Sequence, residues 1–338
     1  MHEVSGQVLV AGPVLALDLG ATQIRTAVVT PDGRILARAG RGTPTNEGPA
    51  PVIAACIDEL RRAAAMVGPE IRNSLVGLGL AAPGPLDPAT GVLVEPPNFG
   101  PGFRDVPFRD PIAAALNLPA VLERDTNVAA LAELAFGAAR GLRDFLYVTV
   151  STGIGGSIVI AGRIHGGPDG VAGELGHIPV GLDGPVCGCG GVGHVEAFAS
   201  GVGMARIAAT LVERRAAPGL AARARSIAPR QLEGRDVAEL AEAGDPESLA
   251  IVEDGRRAIS QLMVGLVNTF NPEAIVIGGS VAQGQGERLL GPIRAAVAAH
   301  AFRIPRERVR IVLADLGDDV GLLGAVPLCG RGLVRKGD

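Results

Sequence analysis

The strongest constraint on the fold is a pattern that occurs twice. Residues 14 to 29, VLALDLGATQIRTAVV, are two apolar, strand-like runs around a short turn from Asp18 to Thr22, and residues 145 to 160, FLYVTVSTGIGGSIVI, repeat the plan. Each reads as a β-hairpin whose turn carries glycine with threonine or serine. A supersecondary unit used twice predicts two similar domains related by duplication. Around the hairpins strand and helix signals alternate. Helical spacing covers Val52 to Met66, strands cover Val76 to Ala81 and Ala120 to Leu122, and a helix follows from Thr126 to Gly137. Residues 203 to 270 read as helical, Ala274 to Ile277 as a buried-type strand, and Val309 to Leu313 as a last strand before a small-residue helix through Leu328. Such alternation is the mark of α/β architecture. The Pro- and Gly-dense stretch from Pro83 to Pro111 reads as loop, and a domain boundary is expected near residue 123.

Composition excludes several chemistries. The single lysine, Lys336, sits in a polar tail, so a lysine Schiff base, a P-loop lysine and a kinase strand lysine are all ruled out. With 31 basic against 35 acidic residues the net charge is −4, which offers no field to gather nucleic acid or an anionic membrane. No apolar run reaches the roughly 18 residues that span a bilayer, and no basic run precedes an apolar stretch at the N-terminus, so a cytoplasmic protein is expected. Four cysteines are too few for a secreted disulfide framework.

Three turns point to phosphate. Asp18-Leu19-Gly20-Ala21-Thr22 puts a carboxylate, a glycine and a hydroxyl on one tight turn, where N–H groups can face a phosphate and Asp18 can hold a hydrated Mg²⁺. Alone it is equally an ordinary hairpin connection. The second turn, around Thr152 and Gly153, and the pair Gly278-Gly279 after a strand move the reading toward a nucleotide. Asp125 stands where strand gives way to helix, which leaves it two roles: a helix N-cap, or a base aimed from a helix N-terminus at a sugar hydroxyl. His177, Cys187, Cys189 and His194 fall within 18 positions and suit a tetrahedral, structural Zn²⁺. Glu174 and Glu196 bracket this cluster, as surface carboxylates or as groups that a pinned loop aims at hydroxyls. Gly188 to Gly193 matches G-x-G-x-x-G but lacks the preceding strand and following helix of a dinucleotide site. Cys56 and Cys329 lie in apolar runs and read as core.

Taken together, DLGATQIR, AAPGPLD, PPNFG, ERDTNVAALAE, VSTGIGGSI, GELGHIPVG, CGCGGVGHVEAFASG and IVIGGSVA resemble, in order, the ROK family of bacterial sugar kinases and sugar-responsive repressors. The likeness runs from Val14 to about Leu328. It implies two actin-like (ribonuclease H-like) α/β domains flanking an active-site cleft. One would span 13–123, closed by the C-terminal segment 316–338, and the larger one 124–315, with the zinc loop and helical section. It implies ATP with Mg²⁺ at the turns of Asp18, Gly20 and Thr22, of Thr152 and Gly153, and of Gly278 and Gly279, with Asp125 as catalytic base. Glu174 and His177 would form the sugar-binding ExGH element, Asn98 and Glu196 would also contact sugar hydroxyls, and His177 would serve the zinc site as well. The implied reaction is ATP-dependent phosphorylation of a hexose, first of all D-glucose to glucose 6-phosphate, in a homodimer or homotetramer. The alternatives are a catalytically weak sugar-binding regulator, a kinase for fructose, mannose, allose or an N-acylhexosamine, and polyphosphate as donor.

Three positions depart from the family pattern. Arg124 stands where glucose-using members commonly carry Asn, and this longer, permanently charged donor can keep the sugar contact or change the sugar accepted. His194 stands where Cys is commoner, and Gln23 where lysine is frequent. Repressor members carry a helix-turn-helix of several tens of residues ahead of the first turn. Only 17 residues precede Asp18, so DNA is not an expected partner.

Overall fold

The structure, a computed structural model, describes residues 3–4, 7–8, 10–97, 99–100 and 102–334. It separates into two compact units: Met1–Arg143 with Ile158–Ala172 and Ala314–Asp338, and Asp144–Ser157 with Gly173–Leu313. The first sheet contains β1 (Val14–Leu19), β2 (Gln23–Val29), β3 (Ile35–Gly42), β4 (Leu78–Ala82) and β5 (Ala120–Arg124), in the order β5-β4-β1-β2-β3. Its hairpin strands pair antiparallel, whereas β1, β4 and β5 run parallel. The second sheet contains β6 (Phe145–Val150), β7 (Ile154–Ile160), β8 (Arg163–Ile164), β9 (Ala274–Gly278) and β10 (Arg310–Leu313), in the order β8-β7-β6-β9-β10. Strand for strand the two orders are the same, and β6, β9 and β10 are again parallel. The repeated hairpin of the sequence thus forms the first two strands of each sheet.

In the first unit β1 is buried along its whole length because helices cover both faces. Leu15, Leu17 and Leu19 pack with Val52, Cys56 and Leu60 of helix Pro49–Ala65. On the other face Val14 and Ala16 meet Leu322, Leu323, Val326 and Cys329 of the C-terminal helices Val320–Leu323 and Ala325–Val334. Close approach here needs small residues: a Cβ on Gly79 of β4 would stand 2.5 Å from that of Ala325. Burial pushes the thiols of Cys56 and Cys329 up to about 12, which leaves both as unreactive core groups.

The division falls at Arg143 rather than near residue 123. The reason is the helix Asp125–Phe136, which follows β5 directly and packs Val128 and Leu131 against Ala81 and Leu328. Its carboxylate Glu133 is buried and accepts backbone N–H bonds from Ala138 (2.7 Å), Leu316 (3.1 Å) and Asp315 (3.3 Å). Burial pushes this carboxyl up, and the three bonds pull it back. The stretch read as loop also contains structure. Leu86–Asp87, Val92–Leu93 and Val106–Pro107 form a small sheet, and Arg109–Leu116 is a helix whose single buried residue, Ile112, gives almost no periodic signal. No helix among the described residues is long and apolar enough to cross a membrane.

The helical section of the second unit comprises Gly201–Glu213, Pro218–Ile227, Gly234–Glu242 and Pro246–Phe270. Two of its arginines hold a buried carboxylate. Asp236, fully buried, accepts from Arg230 Nη1 (2.8 Å) and Nη2 (2.9 Å), Arg223 Nε (2.9 Å) and the Glu233 N–H (2.9 Å). The Arg230 hydrogen bond, above all, holds this carboxyl far below the usual carboxylate range. A depressed folded-state pKa contributes stability that is present above the unfolded value of about 3.9 and is lost as pH falls below it. Asp236→Ala is expected to lower unfolding free energy by about 3 kcal/mol. It should also flatten the acid limb of stability below about pH 4 in denaturant melts, and an unchanged acid limb would refute the assignment.

Candidate active site

In the first unit, strand alternation puts Asp18 on the same face of β1 as Val14 and Ala16. Its carboxylate meets the C-terminal segment at Gly321, where a Cβ would stand 2.5 Å from Asp18 Oδ2. In the hairpin register Asp18 lies directly opposite Arg25, whose Nη2 donates to Oδ2 at 2.5 Å. Burial pushes the Asp18 carboxyl above its usual range, and the charge and hydrogen bond of Arg25 oppose that. The turn itself is closed by the Gly20 N–H on Gln23 O (2.9 Å) and by Thr43 Oγ1 donating to Gly20 O (2.7 Å). Thr22 and Gln23 are exposed at its tip.

Asp125 is exposed and occupies the first position of its helix, while Arg124 takes the capping position. Its Oδ1 accepts the Thr126 N–H at 2.7 Å. Glu123 Oε1 accepts from the Arg124 N–H (2.9 Å) and Asn127 Nδ2 (3.0 Å), so the helix start is held from behind. The helix dipole at this end favours the ionised carboxylate. Arg124 is held in place by the backbone of a nearby loop. It is buried, and its guanidinium donates to the carbonyls of Ala172 (2.9 Å) and Val171 (3.4 Å). Asn98 lies outside the described residues.

In the second unit the two glycine turns come together. Ser151 Oγ and Ser280 Oγ are 2.9 Å apart, joining the Thr152-Gly153 turn to the Gly278-Gly279 turn. Gly279, at φ +93°, lies so close to Val150 O that a side chain has no room. The first turn backs onto helix Gly201–Glu213, whose Gly201 and Val202 N–H groups donate to Ser151 O (2.8 Å) and Thr152 O (3.1 Å).

The metal candidates converge as well. One ligand atom from each of His177, Cys187, Cys189 and His194 lies within 4.8 Å of all the others. Cys187 Sγ is 3.7 Å from His177 Nδ1, and Cys189 Sγ is 3.3 Å from His194 Nδ1. Around a tetrahedral ion with metal–ligand distances near 2.0–2.3 Å, neighbouring ligands stand about 3.3–3.8 Å apart, which is the spacing of these two pairs. Gly191 leaves the space that the His194 ring fills. His177 presents its other nitrogen, Nε2, to Glu174 Oε2 at 4.0 Å, and Glu174 is exposed. Glu196 links the cluster to the glycine turn: Oε2 accepts the Ile154 N–H at 2.9 Å, while Cys187 Sγ lies 3.6 Å from Oε1.

The sequence model of the ROK family matches residues 14–331. The chain belongs to the ROK family. The glucokinase of Halalkalibacterium halodurans is 34% identical over 311 residues, 92% of this chain and 92% of that protein. An N-acetylmannosamine kinase of Shigella flexneri is 30% identical over 316 residues, 93% of this chain and 97% of that protein. Among solved structures, a ROK family glucokinase from Streptomyces griseus in complex with glucose and AMPPNP superposes with a TM-score of 0.78. It is 31% identical, and the match covers 95% of this chain and all of that one. In this ROK protein the residues that sequence reasoning missed are Arg25, Ser280 and Gly321. Arg25 was within reach, because a hairpin turning at Gly20 to Thr22 puts it opposite Asp18. Gly321 was not, because nothing local marks a glycine 303 residues away as the neighbour of Asp18.

Elemental analysis of the purified protein should find one tightly held tetrahedral ion per chain. His194→Ala should lose it and His194→Cys keep it. Full occupancy in His194→Ala would remove His194 from the ligand set.

Proposed function

We propose that this ROK protein is an ATP-dependent hexose kinase that converts D-glucose to glucose 6-phosphate with Asp125 as general base. The observation that carries the reading is an exposed carboxylate at the first position of a helix whose start is fixed from behind. In phosphoryl transfer the protein mainly positions the reactants and neutralises charge, which N–H groups and Mg²⁺ can do without a lysine. Mg²⁺ enters as part of the nucleotide substrate, with Asp18 the carboxylate offered to its water shell. The Gly20-Thr22, Thr152-Gly153 and Gly278-Gly279 turns contact phosphates and nucleotide. Glu174, His177 Nε2, Asn98 and Glu196 take the sugar hydroxyls, and Asp125 takes the proton of the 6-hydroxyl as it attacks the γ-phosphorus. Arg124 joins the sugar site beside Asp125, and its bonds to Val171 and Ala172 also brace the chain just ahead of Glu174 and His177.

The ion at His177, Cys187, Cys189 and His194 is assigned as zinc, which supplies no chemistry in the transfer. His177 would hold such an ion through Nδ1, which leaves Nε2 facing Glu174 and the sugar. The glucokinase relative and the glucose complex of the Streptomyces griseus protein support glucose. The N-acetylmannosamine kinase relative favours an N-acylhexosamine as the second reading.

Hexose-dependent release of ADP across a panel of glucose, fructose, mannose, allose, N-acetylglucosamine and N-acetylmannosamine tests the substrate. Glucose should give the highest kcat/KM, and preference for an N-acetyl sugar would overturn that choice. Asp125→Asn is expected to lower kcat by at least about a hundredfold while sugar binding largely survives, since general-base catalysis is worth about 10²–10⁴-fold. Near-normal turnover in that variant would take Asp125 out of the mechanism.

A further inference from the structure

The first phosphate turn lacks a cation at its tip. Gln23 stands there, and the chain's one lysine, Lys336, is in the C-terminal tail. Two residues along β2, on the same face, is Arg25. Its guanidinium is tied down at two points, with Nη2 on Asp18 Oδ2 (2.5 Å) and Nη1 on the carbonyl of Asp318 (2.8 Å). The side chain is nevertheless 41% exposed. An arginine fork has five N–H donors, and these two bonds orient it without exhausting it. The next carboxylate along the C-terminal segment, Asp319, is already neutralised by Arg38 of β3.

We infer that Arg25 is a nucleotide-binding residue. It supplies from within the sheet the positive charge that a lysine would bring to the tip of this turn, and its remaining donors contact the phosphate chain of ATP. The geometry favours an arginine for this task. A lysine ammonium at position 25 could pair with Asp18 or meet a phosphate as a point charge, whereas a planar fork can bond Asp18 on one side and a phosphate on another. The two anchors also fix the fork in advance, so little rotamer freedom remains to be lost on binding. The inference rests on the kinase reading only in taking ATP as the nucleotide.

The test is calorimetric titration of the full-length protein with ATP in Mg²⁺ buffer and, separately, with adenosine. Arg25→Gln is expected to raise the Kd for ATP at least about tenfold, the loss of a charge-assisted contact, and to leave that for adenosine unmoved. Adding Gln23→Lys to Arg25→Gln should restore most of the ATP affinity, because the charge returns to the turn although the Asp18 pair does not. A structural brace would behave otherwise: ATP and adenosine would weaken together, and Gln23→Lys would rescue neither. Either result overturns the inference, as does wild-type ATP affinity in Arg25→Gln. Should the unpaired Asp18 prevent Arg25→Gln from folding, Arg25→Lys replaces it. There a roughly threefold or larger loss for ATP alone is expected, and unchanged ATP affinity overturns the inference. Titration needs no turnover, so the two readings part cleanly. A protein that binds ATP through Arg25 yet phosphorylates no hexose overturns the kinase reading alone. An active kinase whose Arg25→Gln variant binds ATP normally overturns this inference alone.

Discussion

The carboxylate of Asp18 is buried on a sheet face that otherwise carries Val14 and Ala16, and the architecture of the first unit follows from keeping it there. An ionised group taken out of water is costly unless it is paired. Arg25, its cross-strand partner, provides the pair, and Gly321 provides the space. The segment that carries Gly321 must itself stay in place. Glu133 does this from helix Asp125–Phe136 by accepting the N–H groups of Asp315 and Leu316. The helix that begins with Asp125 and the turn that begins with Asp18 are therefore tied to the same short piece of chain. Within this unit the proposed base and the proposed phosphate turn share one rigid support.

The second unit solves a different problem. The loop from Ile178 to Gly193 is rich in glycine, and its large apolar side chains do not form a core. Leu182 is fully exposed, and Val186 and Val192 are about half exposed or more. Burial cannot repay the entropy of ordering such a segment. A metal ion held by the four converging ligands would, because metal binding supplies folding free energy directly. Glu196 then passes this order on, with one oxygen near Cys187 Sγ and the other on the Ile154 N–H beside the glycine turn. His177 likewise faces two partners, Glu174 with one ring nitrogen and Cys187 with the other.

Arg124 carries contacts that its place in the motif does not announce. In sequence it sits beside Asp125, where a donor toward substrate is the natural reading. In the folded chain the strand-to-helix junction turns its side chain inward, to the carbonyls of Val171 and Ala172. Arg223 and Arg230 also carry more than their sequence context shows. In an Ala/Arg-rich stretch they look like solvated charge, yet they hold the buried carboxylate of Asp236. In each case the residue type is plain and its neighbours are not.

What the sequence determines by itself is whatever short-range patterning encodes: the two hairpins and their turns, the strands at Ala274 to Ile277 and Ala120 to Leu122, the helix after Asp125, and a His/Cys cluster confined to 18 positions. Period-2 and period-3.6 alternation, turn chemistry and ligand spacing are local properties, so they can be read without the fold. Only the tertiary structure decides that helix Asp125–Phe136 joins the first unit, that Gly321 makes room for Asp18, that Ser151 meets Ser280, and that Arg124 turns inward. Each of these pairs residues far apart in the chain. Such contacts are selected by which apolar faces bury against each other and by which buried polar groups must find a partner, and that selection is made only when the whole sheet and its covering helices close together.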